Sequence, residues 1–206
     1  TPDEHEEARA AFGLDNGDIA IGFIGRLSPD KGIRELVEAA AEAHKEDSRI
    51  CLVLIGPRED RSALGNTLGD IDQAPWAHRR PRTSDPRSAL WAFDILVLPS
   101  YREGFPITAL EAQACGVPVI ISDATGCIDA IVDGITGIAV PARSTAPLAA
   151  AILRLAHNNE ERDMMGTSGR SWVLEKFQSE DVRERFLDYI AGVAKCHEDR
   201  GGEFNA

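Results

Sequence analysis

The stretch Ile19-Ala20-Ile21-Gly22-Phe23-Ile24-Gly25-Arg26-Leu27-Ser28-Pro29-Asp30-Lys31-Gly32 decides the fold. Its first six residues hold no polar side chain, the pattern of a parallel strand covered on both faces. A polar loop with two glycines follows. Ile33, Leu36, Val37 and Ala40 then recur at the i, i+3, i+4, i+7 spacing of an amphipathic helix. The unit repeats. Unbroken runs rich in Val and Ile occupy 50–55, 95–98 and 117–121, with a shorter run at 138–140. Helical spacing returns at Leu148, Ile152 and Leu155, and again at Val182, Phe186, Tyr189 and Val193. Strands alternating with helices predict βαβ crossovers and an α/β fold, a Rossmann-like doubly wound parallel sheet. The segment 58–87 is less regular and reads as a short helix over 60–68 and a short edge strand over 76–80. One domain is expected over 1–197, with a polar, disordered tail over 198–206.

Composition limits the function. The chain has 206 residues, with 22 Lys+Arg against 34 Asp+Glu and a net charge of −12. At 43% hydrophobic and 27% charged it is globular rather than disordered. The acidic balance argues against a nucleic-acid partner. It leaves room for a small anionic ligand, since a few local cations suffice. No run approaches the roughly 18 apolar residues of a membrane span, and the acidic start Asp3-Glu4-His5-Glu6-Glu7 is unlike a signal peptide. Cys51, Cys115, Cys127 and Cys196 form no CxxC pair. Free thiols in a reducing cytoplasm are therefore expected, and no metal site.

In open α/β sheets ligands bind beyond the carboxyl ends of the strands, so the loops there carry the functional reading. After the first strand, Ser28 is a candidate N-cap and Pro29 a candidate first helical residue. That places Lys31 in a first helical turn, with Arg26 just upstream. Two cations at a positive helix end suit an anion, and otherwise Lys31 points to solvent. After the fourth strand comes Pro99-Ser100-Tyr101-Arg102-Glu103-Gly104-Phe105-Pro106, then a helix over 106–115 with Pro106 as its first residue. Phe105, Ile107 and Thr108 would present free N–H groups, and Gly104 would let backbone approach a ligand. Glu103 and Glu111, in a Glu-x7-Glu spacing, offer acceptors for sugar or ribose hydroxyls, or are two solvated surface charges. After the fifth strand, Asp123 or Thr125 reads as a helix cap or as part of a third ligand loop. Asp133-Gly134-Ile135-Thr136-Gly137 reads as a turn.

Gly25-Arg26-Leu27 with Lys31-Gly32 resembles the GRL…KG element of the retaining GT-B glycosyltransferases of the "group 1" family (family 4 type). The block from Pro99 to Pro106, with Leu110-Glu111-Ala112 and Gly116-Val117-Pro118-Val119-Ile120, is similar to that family's Glu-x7-Glu block. Asp133-Gly134-Ile135-Thr136-Gly137 and Val140-Pro141 match a further element. These hold their order over about 12–177. The resemblance implies the C-terminal, nucleotide-sugar donor-binding half of a GT-B fold, without the N-terminal acceptor domain. It implies that Arg26 and Lys31 hold the diphosphate, helped by the helix start at Phe105, Pro106, Ile107 and Thr108 beside Gly104. Glu103 would contact donor-sugar hydroxyls as the catalytic residue, and Glu111 the ribose. Retaining transfer without a metal or other cofactor is implied, from a nucleoside-diphosphate sugar with UDP-sugar favoured, to a glycan or lipid-linked acceptor in polysaccharide biosynthesis. The full-length enzyme would be cytoplasmic, with peripheral membrane association. The fragment alone would be inactive. Asp129 stands where relatives often carry Glu.

Three other readings compete. A DxD metal site at Asp70-Ile71-Asp72 would offer hard oxygen ligands, but no apolar strand precedes it, and it reads as a solvated loop. A dinucleotide oxidoreductase would need G-x-G-x-x-G after the first strand, and Gly22-Phe23-Ile24-Gly25-Arg26 lacks it. A non-catalytic nucleotide-sugar-binding module or partner subunit would keep the same residues. Arg79, Arg80, Arg82 and Arg87 would line a base pocket, face another domain, meet lipid headgroups or form a solvated basic patch.

Overall fold

The computed structural model describes residues 2–59, 64–83 and 85–178. Six strands form one parallel sheet: β1 (Ile19–Ile24), β2 (Ile50–Ile55), β3 (Ala77–Arg80), β4 (Ile95–Leu98), β5 (Val119–Ser122) and β6 (Gly137–Val140), in the order β3-β2-β1-β4-β5-β6. Residues 19–24 pair in register with 50–55, and the other neighbours are parallel too. β2, β4 and β5 are buried throughout, which is why they read as unbroken apolar runs. β3 is an edge strand, half-buried and cationic, and Lys or Arg on an edge blocks further strand pairing.

The helices are α1 (Pro2–Phe12), α2 (Ile33–Glu46), α3 (Gly65–Gln73), α4 (Pro86–Trp91), α5 (Ile107–Ala114), α6 (Thr145–His157) and α7 (Asn159–Lys176). α2 packs on α6 and α3, while α4 packs on α1 and α5. Two helical layers thus sandwich the sheet, and the sequence order reverses between β1 and β4, the point where such sheets open a ligand crevice. Residues 1–171 form one compact unit; a second, 172–206, includes the end of α7, where the Trp172 and Phe177 rings meet edge-on at 5.0 Å. The expected helix around Val182 to Val193 and the tail over 198–206 lie outside the described residues. Among the described residues no helix is long and apolar enough to cross a membrane.

Several expectations are corrected. α1 and α4 were not anticipated. α3 begins at Gly65 rather than 60, with 60–63 outside the described residues. β5 begins at Val119, because Val117 N–H closes the end of α5 on Ala112 O. Asp70-Ile71-Asp72 is no loop: it lies in α3 with Ile71 buried, and Asp72 is held by Arg79 at 2.7 Å. Residues two apart on a helix do not face each other, so Asp70 and Asp72 cannot jointly grip a metal. The four arginines are no uniform patch, since Arg79 pairs with Asp72 and Arg87 with Asp85.

Candidate functional site

Loops at the carboxyl ends of β1 and β4 bound a cleft of about 320 Å³. Arg26, Lys31, Glu103, Phe105, Pro106, Ile107 and Thr108 line it, together with buried Ser100. Gly104 lines the adjoining lobe. Glu111 lines neither. It sits exposed on α5, four residues beyond Ile107 and so on the same helical face. Partial burial pushes its carboxyl pKa up.

Lys31 and Glu103, 72 residues apart, meet in the cleft: Lys31 Nζ donates to Glu103 Oε1 at 2.6 Å. The Ser100 hydroxyl donates to the same oxygen at 2.7 Å. Both charged side chains are largely shielded. With Oε1 doubly held, Oε2 is the oxygen left for another donor. Ser100 is fixed in turn, since its carbonyl accepts from the Ser122 hydroxyl and, at 3.8 Å, from Cys127 Sγ. The Glu103 N–H donates to Thr125 O at 3.2 Å. A Cβ on Gly126, whose φ is +78°, would stand 2.0 Å from Glu103 O. The loop 123–127 therefore clamps the backbone of Glu103. Asp123 and Thr125 cap no helix. Asp123 Oδ1 accepts the Ala142 N–H at 2.9 Å, and Cys127 precedes the 3₁₀ turn Ile128–Ala130.

Lys31 does not open a helix that continues. A separate 3₁₀ turn, Pro29–Lys31, ends at Gly32, whose φ of 67° puts it in the left-handed region. A Cβ there would stand 2.2 Å from Pro99 O, so close approach of this loop to the end of β4 demands glycine. Lys31 is thus a last-turn cation that complements its short helix, and its partner is Glu103. Ser28 makes no side-chain cap to the turn's backbone, and its buried hydroxyl beside Asp30 helps hold that carboxyl below the usual range.

Pro106 precedes rather than begins α5. Its φ of −81° and ψ of 88° approach an inverse γ-turn, and the Ile107 N–H donates back to Phe105 O at 3.0 Å. That amide is therefore not free for an anion. Arg26 is exposed and paired with Glu59, with Asp30 at 3.9 Å. Glu59, Ser100 and Gly126 escaped notice as site residues. Glu59 and Gly126 act on residues distant in sequence, and Ser100 acts on Glu103 through the fold of the turn between them. A further group stands above β4: Tyr101 OH donates to Glu35 Oε1 at 2.7 Å, and the Arg143 guanidinium lies 4.4 Å above the Tyr101 ring. Burial, and then the bond to Glu35, pushes the Tyr101 pKa up to about 12.

A six-stranded parallel sheet with cation, carboxylate and helix start gathered at its switch point is a Rossmann-like domain of the GT-B type. The family model for glycosyl transferases group 1 matches residues 4–172. The capsular polysaccharide biosynthesis glycosyltransferase CapM of Staphylococcus aureus is 33% identical over 170 residues, 82% of this chain and 45% of its own. A D-inositol 3-phosphate glycosyltransferase of Kribbella flavida is 33% identical over 179 residues, 80% of this chain and 42% of its own. The C-terminal domain of a group 1 family protein (LpcC) from Francisella tularensis superposes with a TM-score of 0.76 at 26% identity, covering 85% of this chain and 93% of that one. Anabaena Alr3699/HepE, solved with UDP and glucose, superposes with a TM-score of 0.83 over 93% of this chain and 53% of its own; at 18% identity it bears on the fold alone. The chain belongs to the group 1 glycosyltransferases. It spans about half the length of the curated relatives it matches.

Proposed function

We propose that this chain is the donor-binding half of a retaining glycosyltransferase, and that its cleft holds a nucleoside-diphosphate sugar, UDP-sugar in preference. The observation that carries this is the Lys31–Glu103 pair, 2.6 Å apart at the switch point of the sheet. A cation stands where a diphosphate needs one, and beside it is a carboxylate with one oxygen left for sugar hydroxyls. Arg26 reaches the diphosphate by leaving Glu59. Gly104 and the start of α5, with Phe105, Pro106 and Thr108, line the floor, while Ile107 and Glu111 present one face of α5 toward base and ribose. The preference for uridine is the one that the family resemblance implies. The CapM resemblance supports a place in polysaccharide biosynthesis, and the proposal extends to a glycan or lipid-linked acceptor, met in the cytoplasm with peripheral membrane association.

The mechanism follows from what the cleft holds. Ser100 and Glu103 both line the cleft, but the Ser100 hydroxyl and Lys31 Nζ both bind Glu103 Oε1, so Glu103 is assigned to orienting the sugar rather than to forming a covalent intermediate. The proposed route is front-face displacement: the bond from anomeric carbon to diphosphate oxygen breaks as the acceptor oxygen bonds the same face, and the leaving phosphate takes the acceptor proton. Lys31 and Arg26 stabilise the charge that grows on the leaving diphosphate. Glu103, held by Lys31 and Ser100, orients the sugar.

Titration calorimetry with UDP, GDP and ADP tests the reading. UDP is expected to bind, and Lys31→Ala to weaken it about tenfold, the usual worth of one charge-assisted contact. No heat with any nucleotide up to millimolar concentration would refute the donor site.

A further inference from the structure

Beside the cleft lies a second lobe of about 760 Å³, lined by Arg26, Asp30, Lys31, Tyr101, Arg102, Glu103, Gly104 and Arg143. It shares Arg26, Lys31 and Glu103 with the first. A group placed there is contiguous with a diphosphate and its sugar. Four cations line the lobe against two carboxylates, in a chain whose net charge is −12. Both carboxylates are engaged, Glu103 by Lys31 and Asp30 by Arg26. Arg102 and Arg143 have no carboxylate partner among the described residues. They are the unspent positive charge of the site.

Arg143 is also held in an unfavourable backbone state. Its φ of 60° makes it the single non-glycine residue with positive φ among the described residues. A side chain in that region is strained, which glycine would avoid. The guanidinium is stacked on Tyr101, whose hydroxyl is pinned to Glu35. Contact with the ring confines the guanidinium on one side, and its N–H donors, with no carboxylate partner among the described residues, can grip a planar anion in bidentate fashion. An observed backbone outlier with a preorganised, unpaired side chain points to function.

Building on the donor-site reading, we infer that Arg143 and Arg102 form a carboxylate subsite, so that the lobe selects a sugar bearing a carboxylate, a uronic acid, next to the diphosphate. The donor is the favoured source, because the lobe shares residues with the diphosphate site; an acceptor uronate is the other source of the same chemistry.

Calorimetry on this chain separates the cases with UDP, UDP-glucose, UDP-glucuronic acid, and free glucuronic acid added to the UDP-loaded chain. UDP-glucuronic acid is expected to bind about three- to tenfold tighter than UDP-glucose, the range for a bidentate pair at an exposed site. That ratio should shrink as salt rises. Arg143→Gly relieves the backbone, so folding is expected to survive while the ratio falls to one. Arg143→Asn, which also tolerates positive φ, and Arg102→Ala repeat the test should the glycine variant misfold. If glucuronic acid binds only the UDP-loaded chain, and does so through Arg143, the carboxylate enters with the acceptor and the subsite stands. Equal affinities with no glucuronate binding, or a ratio that survives loss of Arg143, overturn the subsite while leaving the donor site intact. Failure of UDP itself to bind overturns both.

Discussion

Two glycines separate what the fold needs from what a ligand needs. Gly126 has φ +78°, and a Cβ there would collide with the carbonyls of Glu103 and Gly104 at 2.0 and 2.8 Å. Gly104 has open space around its missing Cβ and no positive φ. Gly126→Ala is expected to cost about 1–3 kcal/mol in backbone strain. It should also displace Glu103, so melting temperature and UDP-sugar affinity fall together. Gly104→Ala is expected to change stability by less than about 0.5 kcal/mol but to weaken UDP-sugar binding, because the added methyl stands where a ligand meets the backbone. Thermal melts and calorimetry on both variants check this; an alanine at 104 that binds like the original would show that no ligand approaches that backbone. Arg26, Lys31 and Glu103 stand out in the sequence because their residue types carry charge, and the fold gathers all three at one cleft. The clamp at Gly126 was not legible there, since it depends on a loop 20 or so residues away closing back on the Glu103 backbone. The hold of Ser100 on Glu103, three residues apart, was not, since it depends on the turn that follows β4 rather than on residue type.

At the level of elements, the apolar runs announced β1, β2 and β4 to the residue, since polar or turn residues bound each run; β5, equally buried, was read two residues early because the apolar Val117 belongs to the end of α5. α1 was invisible for the opposite reason. Its sequence is mostly polar, and it is docked by a charge: Arg9 is buried, pairs with Asp94 at 3.0 Å and donates to the carbonyls of Ala92, Asp15 and Asp18. A periodicity reading cannot see that a charged residue is an anchor. A second polar junction joins α2 to α6. Asp47, which ends α2, binds the guanidinium of Arg49 at 2.6 Å and meets His157 at 3.3 Å. The hydrogen bond from Arg49, aided by its charge and by His157, holds the Asp47 carboxyl well below the usual range. Because the folded chain favours the ionised form, this stability is fully present above the ordinary carboxylate pKa of about 3.9 and is lost as pH falls through and below it. Asp47→Asn is therefore expected to lower the urea midpoint at pH 7, by the fraction of a kcal/mol to about 1 kcal/mol typical of exposed pairs. The difference from the original chain should narrow below pH 3. A gap that stays constant with pH would mean that the asparagine acts through packing alone.

Across the whole molecule the charge is distributed with a purpose that the net value hides. Acidic residues dominate the chain, yet Arg26, Lys31, Arg102 and Arg143 gather at the carboxyl edge of the sheet. The cleft they border is open, with Phe105 37% and Ile107 58% exposed beside it. Binding pockets for small ligands cover some 70–90% of the ligand surface, and a cleft walled by one sheet edge cannot. Affinity that must offset lost translational freedom without full burial stays weak. The 206-residue chain is accordingly expected to bind UDP no tighter than about 10 μM, near −7 kcal/mol, and to transfer no sugar. A longer protein of the family's usual length, carrying a second domain over this cleft, should bind the same donor more tightly and turn it over, because closure completes such sites and excludes water. In that protein Phe105→Ala is expected to reduce donor affinity more than it does in this chain, since only there would the ring be covered. The comparison uses calorimetry for affinity and release of UDP for turnover. Sugar transfer by the 206-residue chain alone would show that one sheet edge carries a full catalytic site, and the half-site reading would then fall.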